Sequence, residues 1–194
     1  MEYLEERKAI VDVMRTLVML GLTNPKGGNA SIRVDNTVLL TPSAIPKHKL
    51  KPEDIVVYDM LTGKYIGKHR ASIECNAHIM MYRSIGEARA VLHAHTPISL
   101  ALVDVGIDLN QEKTVETEYS IGRICVTGEA PPGSLELAIK VAEAAKTCRT
   151  IIVPRHGVFV WGSNIYDALD TIISLESMAK YYVVKKLATK ILLD

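Results

Sequence analysis

Two of the six histidines of this 194-residue chain lie within one short stretch, VLHAHTP, at residues 91–97. Successive side chains of a β-strand point to opposite faces, so His93 and His95 would face the same side. Two imidazole nitrogens at this spacing can bind one metal ion. The same spacing also occurs among histidines that are only buried and hydrogen-bonded, so the pair alone leaves both interpretations open.

A third histidine, His156, lies between the apolar runs IIVP and VFVW and is followed by a glycine, which permits a tight bend. A polar ring in such surroundings needs a partner, because burying it unpaired costs free energy. Three neutral imidazoles with an open fourth position are typical of a catalytic zinc site. A single histidine hydrogen-bonded to a turn is the alternative.

The acidic candidate is Glu74, in RASIECNAH, which we expect in the first turn of a helix capped by Ser72. His78 follows four residues later on the same helix face and would either orient the carboxylate or bind a metal itself. Beside three histidines, Glu74 could complete the metal coordination or move a proton. A solvated first-turn acid is the alternative. His48 and His69 lie in polar loops and are predicted to be surface residues.

Two loops contain groups that suit an anion. KGGNASIR, residues 26–33, has a glycine pair whose backbone N–H groups could approach a phosphate, with Lys26 beside them. TPSA, residues 41–44, and Ser72 add hydroxyl and backbone donors. A plain loop leading into a hairpin is the commoner meaning of such segments. Neither GxxxxGK[ST] nor GxGxxG occurs, so a nucleotide-binding loop of those kinds is excluded.

Hydrophobic periodicity predicts the elements that position these residues. Strands are predicted at 30–34, 37–41, 54–59, 90–95 and 122–126 and within 151–162. Helices are predicted at 2–20, 72–83, 134–147 and 165–193, and Thr96 is predicted to cap another helix that starts at Pro97. Hairpins alternate with helices, so we expect one domain, residues 1–194, with a mixed sheet and helices on its faces.

Composition excludes several classes of function. The formal net charge is +1 without a basic block, which argues against a nucleic-acid or anionic-membrane surface. The sequence has no apolar run near the roughly 18 residues of a membrane span, and its charged start is unlike a signal sequence. Three widely spaced cysteines without CxxC fit a reducing cytoplasm and argue against a zinc ribbon. We therefore expect a cytoplasmic protein.

An ordered series of motifs joins these candidates: GGNASIR, LLTPSAIP, SIECNAHIMMY, AVLHAHTP, PPGSLELA and VPRHGVFVWG. In this order and spacing they resemble the class II aldolase and adducin family over nearly the whole chain. The resemblance implies a three-layer α/β/α sandwich around a mixed, largely antiparallel sheet. It also implies a homotetramer with active sites between neighbouring subunits.

The resemblance also implies a role for each candidate. His93, His95 and His156 would bind Zn²⁺, although three histidines suit other divalent ions. Glu74 would be the catalytic acid/base and would close the metal's coordination in the empty site. The positions that would hold the substrate phosphate are Gly28, Asn29, Ser43, Ala44, Ser72 and Ile73. The implied reaction is reversible cleavage of a phosphorylated ketose, such as L-fuculose 1-phosphate, into dihydroxyacetone phosphate and an aldehyde such as lactaldehyde.

Some positions depart from the family pattern and leave alternatives open. A serine pair is reduced to Ser72-Ile73, and Ala44 replaces a glycine. Tyr119 is the candidate that acts on the aldehyde half, and with the chain ending at Asp194 we expect a tail tyrosine to be missing. The alternatives are a pentulose-phosphate 4-epimerase, a thiosugar-phosphate dehydratase and a non-catalytic adducin-like module. A barrel metallohydrolase is set aside because that fold takes about 250 residues.

Overall fold

An eight-stranded sheet runs through the computed structural model, which describes residues 1–193. Its strands are β1 (Asn29–Val34), β2 (Thr37–Leu40), β3 (Val56–Asp59), β4 (Tyr65–Ile66), β5 (Ala90–Ala94), β6 (Ile124–Val126), β7 (Thr150–Val153) and β8 (Gly157–Gly162). Their spatial order is β4-β3-β2-β1-β5-β8-β7-β6. Every neighbouring pair is antiparallel except β6 and β7. The mixed, largely antiparallel sheet is therefore confirmed.

Helices cover both faces of this sheet. They are α1 (Leu4–Met19), α2 (Cys75–Ser84), α3 (Pro97–Asp104), α4 (Leu135–Ala145) and α5 (Ile165–Leu193). All five residues of β5 are buried, and they alternate between two cores. Leu92 belongs to the core formed with α1 and α5, whereas Val91 belongs to the core formed with α2 and α4. This arrangement is the expected three-layer α/β/α sandwich.

The turn between β1 and β2 and the start of α4 are both set by residues close to them in sequence. Val34 pairs with Thr37 across a two-residue turn, and Asp35 takes the positive φ, 51°, that such a turn requires. Ser134 caps α4, since its Oγ accepts a hydrogen bond from the Leu137 N–H at 3.1 Å. Within residues 1–193, no helix is both long enough and apolar enough to cross a bilayer.

The cap of α3 differs from the prediction. Thr96 precedes the helix, but its side chain accepts no backbone hydrogen bond there. Glu176 of α5 accepts the Ile98 and Ser99 N–H groups instead, at 2.8 and 2.9 Å. A carboxylate satisfies two orphan donors with charge-assisted bonds, whereas a hydroxyl satisfies one. Because Glu176 is distant in sequence, the local pattern could not reveal it.

The cysteines also differ from the expectation of a reducing compartment. Cys125 and Cys148 form a disulfide, and Cys75 is a free thiol. Position 125 pairs with position 151 in the parallel β6–β7 ladder, which brings Cys125 beside the turn that enters β7. This proximity depends on sheet order, which cysteine spacing alone does not determine.

Candidate active site

The three candidate histidines converge at one edge of the central strands. His93 lies in β5 opposite Asn29 of β1 and Phe159 of β8, and His95 follows one residue beyond the end of β5. His156 lies in the turn between β7 and β8. One ring nitrogen from each of the three lies within 4.8 Å of the others, so the three could hold one metal ion.

Hydrogen bonding assigns the proton of His93. Its Nδ1–H donates to the Val158 carbonyl at 2.9 Å, so Nε2 carries the lone pair. That Nε2 faces His95 Nε2 at 3.1 Å. Burial lowers the pKa of His93 to about 3 and also lowers the pKa of His95. Neutral imidazoles facing each other this closely are in the protonation state that binds a metal ion.

Glu74 is 5% exposed, which removes the alternative of a solvated acid. It lies just before α2 and not in its first turn. The Cys75 N–H donates to the Ser72 carbonyl and closes a turn over residues 72–75, and α2 begins at Cys75. Glu74 Oε2 is 3.3 Å from His93 Nε2, and Oε1 is 2.9 Å from His156 Nε2. Burial alone would raise the Glu74 pKa, but these two histidines and Asn29 outweigh it and lower the pKa.

Two buried atoms of this cluster have no hydrogen-bond partner in residues 1–193: Glu74 Oε1 and His156 Nδ1. Oε1 approaches His156 closely, yet the geometry is not that of a hydrogen bond. Orphaned buried polar atoms are rare in native proteins, and where they occur a bound ion often completes them. Three imidazoles and a carboxylate are also a donor set that zinc and similar divalent ions accept. The residues present therefore fit a divalent metal ion.

Behind Glu74 lies a chain of buried hydrogen bonds that fixes its orientation. Asn29 Nδ2 donates to Glu74 Oε2 at 2.6 Å, and Asn29 Oδ1 lies 2.5 Å from His78 Nε2. Because Oδ1 can only accept, His78 Nε2 carries the proton and Nδ1 accepts from Ser31 Oγ at 2.7 Å. Burial lowers the pKa of His78 to about 4, which keeps this ring neutral.

His78 thus orients Glu74 through Asn29 and does not join the three clustered histidines. His78 lies one helical turn after Glu74, and Ser31 lies two residues after Asn29 on the same face of β1. Glu74 therefore meets Asn29, and His78 meets both Asn29 and Ser31. Tyr82, four residues further on, bonds to Ser31 Oγ at 2.8 Å. Both spacings were present in the sequence, but only the packing of α2 on β1 brings these residues together.

Replacing His78 with leucine is expected to lower kcat about tenfold and to change KM little. The variant leaves Asn29 Oδ1 without its His78 partner and removes one of the two partners of Ser31 Oγ. An unsatisfied buried group costs about 1–3 kcal/mol of stability, and the loss also frees the Glu74 carboxylate to rotate. Steady-state kinetics and urea denaturation measure the two effects separately.

Two further variants separate positioning from stability. His78→Gln retains an amide donor for Asn29 and should recover part of the lost kcat. Tyr82→Phe removes a hydroxyl that contacts Ser31 and should lower stability with near-normal kcat. A leucine variant with wild-type kcat would show that His78 is only structural.

A cavity of about 260 Å³ opens above the cluster. It is lined by Lys26, Gly27, Gly28, Asn29, Ser43, Ala44, Lys47, Ser72, Ile73, Glu74, His95, Pro132 and His156. All six positions expected at the phosphate therefore line one cavity with Glu74 and two of the histidines. Gly28 has φ +62°, and a Cβ there would lie 2.8 Å from the His93 carbonyl, so only glycine fits this approach.

The two departures from the family pattern lie on this cavity wall. Ser72 is buried, and its Oγ accepts the Glu74 N–H at 3.4 Å, whereas Ile73 is 64% exposed. Ala44 has φ 64°, the left-handed conformation that a glycine adopts without cost. Ala44 therefore occupies a backbone conformation that favours glycine, the residue of the family pattern.

Ala44→Gly is expected to raise the free energy of unfolding by about 0.5 kcal/mol. Relief of the left-handed strain, roughly 1–2 kcal/mol, exceeds the cost of a more flexible unfolded chain, about 0.4–1 kcal/mol. Urea denaturation measures this change in the free energy of unfolding. Ala101→Gly, at an exposed position inside α3, should instead destabilise by about 1 kcal/mol. Equal destabilisation by both changes would contradict the strain at position 44.

Other candidates lie elsewhere. Tyr119 is 77% exposed and is outside the residues that line the cavity; its neighbours Thr117 and Glu118 line a separate cavity of about 640 Å³. His48 is exposed as predicted, while His69 is half-buried and pairs with Asp54 at 3.1 Å. Its surface assignment is therefore only partly correct.

Several known proteins are similar to this chain over most of its length. A 3-oxo-tetronate 4-phosphate decarboxylase from Haemophilus influenzae is 32% identical over 184 residues, which cover 92% of this chain and 87% of that protein. An L-fuculose phosphate aldolase from the same organism is 29% identical over 92% of this chain and 82% of its own length. The crystal structure of L-fuculose-1-phosphate aldolase from Thermus thermophilus superposes with a TM-score of 0.83, at 27% identity and 95% coverage of each chain.

The α/β/α sandwich and its cluster of three histidines and a glutamate define the class, a metal-dependent enzyme. Residues 8–183 match the family described as "Class II Aldolase and Adducin N-terminal domain". The chain belongs to this family, and its resemblance to L-fuculose phosphate aldolases is confirmed. It is accordingly a metal-dependent enzyme of the class II aldolase type.

Proposed function

We propose that this enzyme reversibly cleaves a ketose 1-phosphate, such as L-fuculose 1-phosphate, into dihydroxyacetone phosphate and an aldehyde such as lactaldehyde. The observation that carries the proposal is the Glu74 carboxylate, whose oxygens lie 2.9 Å from His156 and 3.3 Å from His93 on a cavity with phosphate-type loops. We take the metal bound by His93, His95 and His156 to be zinc.

Breaking a carbon–carbon bond beside a carbonyl leaves negative charge on the three-carbon fragment. A divalent cation held by the three histidines would supply Lewis-acid stabilisation of that charge. Glu74 would remove the proton from dihydroxyacetone phosphate in the synthetic direction and return it in cleavage. Its lowered pKa supports the ionised form that the synthetic direction needs.

The cavity loops would fix the phosphate end of the substrate. The backbone N–H of Gly28 and the hydroxyls of Ser43 and Ser72 line the same cavity as Glu74. The side chain of Asn29 is occupied by Glu74 and His78, so Asn29 would contribute through its backbone. Holding the phosphate would place the reacting carbon against the carboxylate and lower the entropic part of the barrier.

Decarboxylation is the second candidate, because the relative at 32% identity is named a 3-oxo-tetronate 4-phosphate decarboxylase. Loss of carbon dioxide from a 3-oxo acid also leaves negative charge beside a carbonyl, so the same residues would serve. Epimerase and dehydratase reactions remain alternatives, whereas the retained donor cluster argues against a non-catalytic adducin-like role.

A single experiment separates these reactions. Purified protein is analysed for metal and then assayed on a panel of ketose 1-phosphates and a 3-oxo acid phosphate. Dihydroxyacetone phosphate is detected by a coupled assay and carbon dioxide by trapping. Both reactions release dihydroxyacetone phosphate, because loss of carbon dioxide from a 3-oxo-tetronate 4-phosphate leaves the same three-carbon fragment. Only the decarboxylase also releases carbon dioxide, and only the aldolase acts on ketose 1-phosphates and releases an aldehyde. Absence of both products and of bound metal would refute the proposal.

We also propose a homotetramer with active sites between subunits. Tyr181, Val184, Leu187 and Ile191 on α5 are exposed apolar side chains, which supports a subunit contact along this helix. Tyr119 is exposed on one chain, as a residue reaching a neighbour's cavity would be before assembly. Light scattering coupled to size exclusion measures the assembly, and Tyr119→Phe kinetics measure the role of its hydroxyl.

A further inference from the structure

Lys47 is a buried lysine on the wall of the candidate active site. It is 2% exposed, at the start of the short helical turn Lys47–Lys49, and it lines the cavity that holds Glu74. Its backbone N–H donates to the Pro25 carbonyl at 2.6 Å, and its Nζ donates to the Pro42 carbonyl at 3.3 Å. Lys47 therefore lies between the two loops expected at the phosphate.

The ammonium group has one carbonyl partner and no carboxylate within 4.0 Å among the described residues. An ammonium offers three donors, so one long bond leaves most of its capacity unused. Burial lowers the pKa of Lys47 to about 8. A buried cation without a counter-charge is expensive, and proteins retain such groups mainly where a ligand completes them.

The other donors of this cavity are neutral or exposed. Gly28 offers its N–H group, Ser43 and Ser72 offer their hydroxyls, and Ile73 offers no hydroxyl where the family pattern has one. Lys26 also lines the cavity, but its side chain is exposed. Lys47 is thus the buried positive charge available to a dianionic group in this cavity.

We propose that Lys47 binds the phosphate of the substrate and makes the enzyme specific for phosphorylated substrates. The inference rests on the proposed function for the identity of the substrate. It concerns a residue that neither its type nor its spacing in the sequence identified as part of the site. An ammonium–phosphate contact would replace the missing hydroxyl at position 73 with a charge-assisted bond.

The test compares Lys47→Met with wild type in the metal-loaded enzyme, using inorganic phosphate as the probe. Calorimetry should give phosphate binding about 10- to 100-fold weaker in the variant, the range for a lost charge-assisted bond. The kcat/KM for the phosphorylated substrate should fall by a similar factor, while that for the same ketose without phosphate should not change. Lys49→Met, an exposed lysine of the same turn, should match wild type in every measurement.

A purely structural Lys47 gives different results. If Lys47 only ties the two loops, Lys47→Met should lower the Tm and leave phosphate affinity within about twofold of wild type, which would overturn the inference. If it binds phosphate, removing the uncompensated charge should raise the Tm of the ligand-free protein. Lys47→Gln, which keeps a donor for Pro42 without the charge, should lose phosphate affinity as the methionine variant does, even if methionine is poorly tolerated.

Phosphate binding also separates this inference from the proposed reaction. Phosphate affinity that depends on Lys47, with no ketose 1-phosphate cleaved, would support the inference and refute only the aldolase. Cleavage of ketose 1-phosphates with unchanged kcat/KM in Lys47→Met would support the aldolase reaction and refute the inference about Lys47. A wild-type enzyme with no measurable affinity for inorganic phosphate would overturn the inference.

Discussion

Glu74→Gln is expected to reduce turnover about 10³-fold with one metal ion per chain still bound. The amide has the shape of the carboxylate and can accept from Asn29, so the three histidines should keep their arrangement. It cannot take up or return a proton at carbon, and general acid–base catalysis of this kind contributes about 10²- to 10⁴-fold. The loss should appear in kcat, because the loops that line the phosphate end of the cavity are unchanged.

A partial reaction isolates the proton transfer from the unidentified aldehyde. In deuterium oxide the wild-type enzyme should exchange one carbon-bound hydrogen of dihydroxyacetone phosphate, which NMR follows without a second substrate. Glu74→Gln should lose this exchange. Glu53→Gln, an exposed glutamate on the Pro52–Asp54 turn, should exchange at the wild-type rate. Exchange near the wild-type rate in metal-loaded Glu74→Gln would remove Glu74 from the proton-transfer role.

The parts of the site that could be predicted depend on short-range periodicity and on an ordered set of motifs. His93 and His95 face the same side, as their two-residue spacing predicted, because β5 keeps its alternation up to its last residue. His156 could be placed only through the motif series, since its turn meets β5 through the pairing of β8. The Glu74 carboxylate lies beside the histidines, although the helix begins at Cys75, two residues later than a Ser72 cap predicts.

The parts that could not be predicted involve partners far apart in sequence. Lys47 stands in a lysine-rich segment whose composition indicates a surface loop, yet its turn folds under the loop that contains Pro25. Glu176 caps α3 across 77 residues. The Cys125–Cys148 pair depends on which strand lies beside β6. Composition and hydrophobic periodicity describe one element at a time, so they do not predict contacts that depend on the order of strands in the sheet.

The close approach of the β7–β8 turn to β5 leads to the second large effect, at Gly157. A Cβ at this position would lie 2.3 Å from the Ala94 carbonyl oxygen, 3.0 Å from His93 Cε1 and 3.1 Å from His95 Cδ2. The carbonyl belongs to the backbone of a buried strand and cannot rotate away. To relieve this contact, the β7–β8 turn would have to move away from β5. His156 precedes Gly157 in that turn and would move with it.

Gly157→Ala is therefore expected to weaken metal binding at least about tenfold and to destabilise the protein by about 1–3 kcal/mol, the usual cost of overpacking. Competition with a chromophoric chelator measures the first quantity, and urea denaturation of the metal-free protein measures the second. Gly86→Ala is the matched control, because a Cβ there meets nothing within 4 Å. Wild-type metal affinity in Gly157→Ala would mean that His156 does not depend on this contact for its place beside His93 and His95, and that the glycine serves only the hairpin.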